Sequence, residues 1–217
     1  MKSRPWTVPK LWRGETAVVL ATGPSMSQNV ADAVRGRARA IAVNDAFRLA
    51  PWADVLYAAD WQWWRHHADN ALKFAGLKVT VGFHCPYPEV LALCDGGFSG
   101  FDNRPTHLRT GKNSGYQAVH LAAHLGAKRI LLCGFDMRES KRGPSHFFGD
   151  HPRELRNEPI YETFRNYFER AAPEYRNRGI EVINCTPGSA LKCFPMQSLE
   201  EALEGVSADS RPSALSA

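Results

Sequence analysis

Short apolar runs recur along this chain, most of them closed by glycine or a small polar residue, and they alternate with helically patterned stretches. The runs are 16–21 (TAVVLA), 39–43 (RAIAV), 54–59 (DVLYAA), 77–81 (LKVTV), 129–133 (RILLC) and 179–184 (GIEVIN). Each is short, mostly β-branched or aliphatic, and apolar on both sides, which is the pattern of a strand buried on both faces. Residues 26–34, 61–74, 86–94, 113–125, 158–177 and 198–203 read as helices. Strands that alternate with helices predict an α/β domain: a mostly parallel sheet of about six strands with helices on both faces.

The 217 residues suit one such domain, read as 16–206, after an N-terminal extension at 1–15 and before a patternless tail at 207–217. A hydrophobic share of 44% against 23% charged residues excludes a disordered chain. No apolar run approaches the ~18 residues of a membrane span. Residues 1–13 carry basic side chains and two tryptophans but no long apolar run, so no signal peptide is expected. Five cysteines in no zinc spacing, an odd number, suit a reducing compartment and predict a cytoplasmic protein. The net charge of +5 is scattered rather than gathered in a tail. It is compatible with a basic cleft for a nucleotide, and nucleic acid stays open as a partner.

Parallel sheets bind ligands outside the carboxyl ends of their strands. That rule gathers Thr22-Gly23-Pro24-Ser25, Asn44-Asp45, Asp60, Gly134-Phe135-Asp136 and Thr186-Pro187 onto one edge. Thr22 to Ser25 joins a strand to a helix, and Ser25 could cap that helix or donate to a ligand. The plain alternative is a capped turn. The loop matches neither a dinucleotide nor a P-loop motif. Arg109 to Gly115 (RTGKNSG) is a second polar, glycine-containing loop at a helix start, centred on Asn113, Ser114 and Gly115. His146 and His151 lie in a third loop, and an imidazole there could serve as general base. His120 and His124 share a helix at a spacing that permits a metal, although sheet packing is the simpler reading. Trp61, Trp63 and Trp64 could stack on a base or fill the core. Residues 94–111 and 137–157 form long loops, a length that points to function or mobility.

Several of these segments resemble a family when taken in order. ATGPSM, AVND, NSGYQAVHLAAHLGAKRILLCGFDM, HFFGDHP and INCTPGSAL look like the ordered motifs of bacterial lipooligosaccharide sialyltransferases. The first and third also resemble 6-hydroxymethylpterin diphosphokinase-like proteins. Short single-domain chains of this kind are familiar in phage and prophage genomes. The resemblance covers residues 16–203 and implies a Rossmann-like nucleotide-binding core.

The sialyltransferase likeness implies a CMP-sugar donor and no metal. It implies nucleotide binding by Gly23, Pro24, Ser25, Asn44, Ser114 and Gly115, with His151 as base by analogy to a motif of the form HYxGH. One extra residue, Asp150, precedes that histidine here. Arg138 stands where the family has a tyrosine that stabilises the leaving phosphate, and a guanidinium could do the same. The diphosphokinase likeness implies ATP and Mg²⁺ held by Asp45, Asp60 and Asp136. The leading expectation is a nucleotide-sugar-dependent transferase with His151, His146 and Arg138 as its catalytic groups. The alternatives are a Mg²⁺-dependent diphosphotransferase and a non-catalytic nucleotide-binding accessory protein.

Overall fold

The computed structural model describes residues 4–139, 146–149, 155 and 160–206. Its strands are β1 (Thr16–Leu20), β2 (Arg39–Val43), β3 (Val55–Tyr57), β4 (Leu77–Val81), β5 (Leu91–Asp95), β6 (His107–Leu108), β7 (Arg129–Cys133) and β8 (Glu181–Asn184). The helices are α1 (Gln28–Val34), α2 (Trp61–His66), α3 (Ala68–Ala71), α4 (Ser114–Leu125), α5 (Tyr161–Asn177) and α6 (Leu199–Ala202). A 3₁₀ turn, Asn44–Arg48, follows β2. The tail at 207–217 lies outside the described residues.

The strands form one eight-stranded sheet in the order β6-β5-β4-β3-β2-β1-β7-β8. Every strand pairing among the described residues is parallel. The chain winds outward from β1 to β6, then crosses back to lay β7 on the other side of β1. The order therefore reverses between β1 and β7, and in open α/β sheets a crevice opens at such a reversal.

Alternation along the strands divides the core in two. Ala17 and Val19 of β1 face a layer built by α4 and α5, with Tyr116, Leu121, Phe168 and Tyr175 buried there. Val18 and Leu20 face the opposite layer, where α1, the 3₁₀ turn, α2, α3 and α6 contribute Ala31, Val34, Phe47, Trp64, Ala71 and Ala202. The α/β class and the helices on both faces are as the sequence predicts.

The strand count is larger than about six, and the reason is local. Residues 86–94, expected to be a short helix, instead run into β5, which pairs with β4 through Val79, Thr80 and Val81. The expected loop 94–111 contains β6. The helix expected over 61–74 breaks at His67, whose ψ of 9° leaves the helical region and separates α2 from α3. The N-terminal extension joins the core: Trp12 is fully buried and its backbone N–H donates to Leu125 O at the end of α4. All five cysteines are free thiols.

Candidate functional site at the sheet reversal

The reversal brings the loops after β1 and β7 into direct contact. Gly23 N–H donates to Gly134 O at 3.0 Å. A Cβ at Gly23 would sit 2.1 Å from Asp136 Oδ2 and 2.4 Å from Gly134 O, so only glycine permits this approach. Gly134 has φ of +77°, and a Cβ there would strike Met26. The Ser25 hydroxyl donates to Asp136 Oδ2 at 2.7 Å, and the Ser25 N–H points at the same oxygen from 3.4 Å. Ser25 is therefore not the cap of α1. The helix begins two residues later than expected, and Ser27 accepts from Val30 N–H instead.

The N-terminus of α4 arrives at the same edge. Asn113 caps it by accepting from Tyr116 N–H at 2.9 Å. Gly115 lies against the Phe135 ring, where a Cβ would approach to 2.9 Å. Phe135 is itself held by its N–H to Thr186 Oγ1. Thr186, Asn113, Gly115, Gly23, Gly134 and Asp136 thus belong to one assembly. The hydroxyl of Thr186 is fully engaged, since it also donates to Leu132 O. It joins the ends of β7 and β8, while Pro187 stays exposed beside it.

Backbone strain gathers on this edge. Asn44, Lys112 and Met137 are the described non-glycine residues with positive φ, at 48°, 52° and 52°. They follow β2, precede α4 and follow β7. Strained residues of this kind persist where surrounding structure holds them, and they concentrate at binding sites.

The remaining expected residues separate. Asp45 is buried and turned into the protein: it accepts from Trp63 Nε1 at 2.9 Å and from Arg48 at 3.3 Å, with His67 Nε2 at 3.6 Å. Asp60 lies between β3 and α2, and desolvation raises its carboxyl above the usual aspartate range. Trp61, beside it, is 37% exposed, whereas Trp63 and Trp64 are core residues. Asp45, Asp60 and Asp136 follow different strands, and among the described residues no group of three or more His, Cys, Asp or Glu side chains forms a metal site.

His146 is brought to the glycine loop. Its Nδ1 and Thr22 Oγ1 share a hydrogen bond at 3.2 Å, and Phe147 N–H donates to Thr22 O. His151 and Asp150 lie outside the described residues. The Arg138 guanidinium reaches over Gly188, in the loop that follows Pro187. His120 and His124 are buried and stacked at 4.6 Å. His120 Nδ1 faces the Arg109 N–H at 3.1 Å, and its Nε2 lies 3.0 Å from Asp102 O and 3.3 Å from Asp102 N. Both act as packing groups of the core.

Sequence reasoning missed Tyr57 and Gln117. The Tyr57 hydroxyl donates to Gln117 Oε1, and Gln117 Nε2 donates to Thr110 O, tying the end of β3 to the loop before α4. The polar end of a strand was the only available signal for Tyr57, and its partner is 60 residues away.

No protein-family model, curated protein or solved structure matches this chain.

Proposed function

We propose that the crevice between the ends of β1 and β7 binds a nucleotide, and that the chain is a nucleotide-sugar-dependent transferase. The observation that carries this reading is the contact of Gly23 with Gly134 and Asp136 at the sheet reversal. There a side-chain-free backbone, a strained strand end and the start of α4 meet. The first-turn N–H groups of Ser114 and Gly115, at the start of α4, suit a phosphate.

In this reading the nucleotide phosphate lies against the Thr22–Ser25 loop and the Asn113–Gly115 helix start. A histidine of the loop containing His146 and His151 takes the proton of an acceptor hydroxyl. The acceptor oxygen bonds to the anomeric carbon as the bond from that carbon to the phosphate oxygen breaks. The nucleotide leaves with the electron pair, and Arg138 offsets its charge. Two facts support these roles: His146 is within hydrogen-bond distance of Thr22, and Arg138 lies over the loop after β8.

The test is a binding panel of CMP, CMP-sugars, UDP-sugars, ATP and GTP, each with Mg²⁺ and with a chelator. A cytidine nucleotide at 100 times its Kd should add about 2.7 kcal/mol of stability in either condition. A response only to purine triphosphate with Mg²⁺ would overturn the donor assignment, and silence across the panel would overturn nucleotide binding. His146→Ala and His151→Ala then locate the base. The variant lacking it binds nucleotide normally and turns over at least 100-fold more slowly, from the usual worth of general-base catalysis. Turnover unchanged in both would remove the loop from the chemistry.

A further inference from the structure

On the α1 side of the sheet, beyond the loop 146–149, lies a cavity of about 660 Å³. Its volume falls within the range of about 300–1,000 Å³ common for small-molecule sites. Phe47, Phe74 and Phe148 supply apolar wall, and Arg48, His66 and Lys73 bring basic groups. The one carboxylate in the lining, Asp45, is already answered by the Trp63 indole N–H and Arg48, so it leaves little negative field. Arg48 uses one guanidinium nitrogen for that contact, and its side chain remains 55% exposed.

The loop 146–149 joins this cavity to the crevice. The His146 and Phe148 rings stack at 5.0 Å and are nearly coplanar in orientation, at 4°. His146 meets Thr22 of the glycine loop, while Phe148 lines the cavity. One short turn therefore has a residue in each compartment, with an imidazole between them.

We propose that this cavity binds the acceptor of the transfer: a small organic molecule with a ring or other apolar body and an anionic group, phosphate or carboxylate. The body lies against Phe148 and the phenylalanine wall, and the anion meets Arg48 and Lys73. The acceptor role rests on the nucleotide reading above; the anion site does not. An uncharged molecule would leave Lys73 and the remaining guanidinium nitrogens of Arg48 unanswered, and a free inorganic anion would leave the apolar wall uncovered.

The experiment titrates the full chain with phenyl phosphate, benzoate, benzyl alcohol and inorganic phosphate, with binding followed by calorimetry. Phenyl phosphate or benzoate should bind at least tenfold more tightly than benzyl alcohol and inorganic phosphate, and the stronger of the two names the anion. Lys73→Gln, at an exposed helix-flanking position, should weaken that probe about tenfold, and Phe148→Ala should weaken it similarly. Phe148→Leu, which keeps an apolar side chain, should recover part of the affinity. Equal binding of charged and uncharged probes, or no effect of Lys73→Gln, would overturn the anion site. The acceptor role is tested separately by repeating the titration in saturating CMP. Unchanged affinity supports two adjoining sites, whereas competitive displacement overturns the acceptor role. If phenyl phosphate binds as expected and no nucleotide binds at all, the cavity stands and the nucleotide reading fails.

Discussion

Two loop regions of this molecule look alike in composition and behave differently. The segment after β5, residues 96–111, and the loops after β1 and β7 are all rich in glycine and polar residues, and all lie at carboxyl ends of strands. The first closes on itself. Asp102 accepts from Arg104 at 2.7 and 2.9 Å and lies 3.4 Å from Arg109, while the buried ring of His120 accepts from the Arg109 backbone. Thr110 and Gly111 N–H groups return to Gly97 and Phe98 carbonyls. The second region meets across the sheet reversal, with glycine in contact with glycine and strained backbone on either side. Polar loops thus divide by where their partners come from. One that satisfies its own charges is a structural clasp, and one held open by close backbone approach is a candidate site.

The largest expected effect breaks the open region. Gly23→Ala places a methyl group 2.1 Å from Asp136 Oδ2 and against backbone at Gly134. It should lower stability by about 2–3 kcal/mol, the usual consequence of overpacking, and abolish nucleotide binding. Urea unfolding and calorimetry check the two parts. The matching change in the clasp is Asp102→Ala, which removes a buried carboxylate bonded to two nitrogens of Arg104. It should cost roughly 2 kcal/mol, from the worth of charge-assisted hydrogen bonds, and leave nucleotide affinity unchanged. If Asp102→Ala weakened binding as strongly as Gly23→Ala, the division between the two regions would collapse.

Acid should sharpen the same contrast. Burial, chiefly, pushes the His120 and His124 imidazoles down to about 3 and about 4, so both stay neutral in the folded protein. Unfolded, they take up protons near 6.5. Above that pH they contribute no pH dependence. As the pH falls from 6.5 towards 4 the unfolded state binds more protons, and stability drops by up to about 1.4 kcal/mol per pH unit for each imidazole. His67, lowered mainly by desolvation, adds in the same direction. Asp102 acts in a different window: its carboxyl is held well below the usual range by Arg104, so its contribution is lost only below about pH 4. Chemical denaturation between pH 7 and 4.5 should show the slope. His124→Gln, which can still donate to His107 O, should flatten it; an unchanged slope would place the proton uptake elsewhere.

The central strands and the polar residues at their carboxyl ends were legible in the sequence because they depend on local pattern. β2, β4 and β7 lie where their apolar runs predict, at Arg39–Val43, Leu77–Val81 and Arg129–Cys133. β5 was not legible. Its residues LALCD have no β-branched side chain and follow a proline-rich turn, so it is pairing with β4 and β6 that makes them a strand. β6 has two residues, too few to carry a period. The glycines at 23 and 134 were visible as strand ends, but their mutual contact spans the whole β2-to-β6 excursion and follows only from the strand order. The surroundings of Asp45 were hidden for the same reason: at a strand end it reads as a ligand group, and nothing local shows that Trp63 will donate to it from a helix.

The smallest expected effect asks whether the Ser25–Asp136 contact is part of the site or another clasp. Ser25→Ala removes a 2.7 Å hydroxyl donor and leaves the buried Asp136 carboxylate facing the Ser25 N–H at 3.4 Å. Losing one such bond should lower stability by about 1 kcal/mol, roughly half the effect of Asp102→Ala. If the hydroxyl holds Asp136 and the glycine loop in the binding geometry, cytidine nucleotide affinity should fall about tenfold as well. The ratio of the two effects carries the answer. A large change in binding for a small change in stability assigns Ser25 to the crevice, whereas a stability change with unaltered binding makes the contact a joint between β1 and β7, of the same kind as Thr186 between β7 and β8.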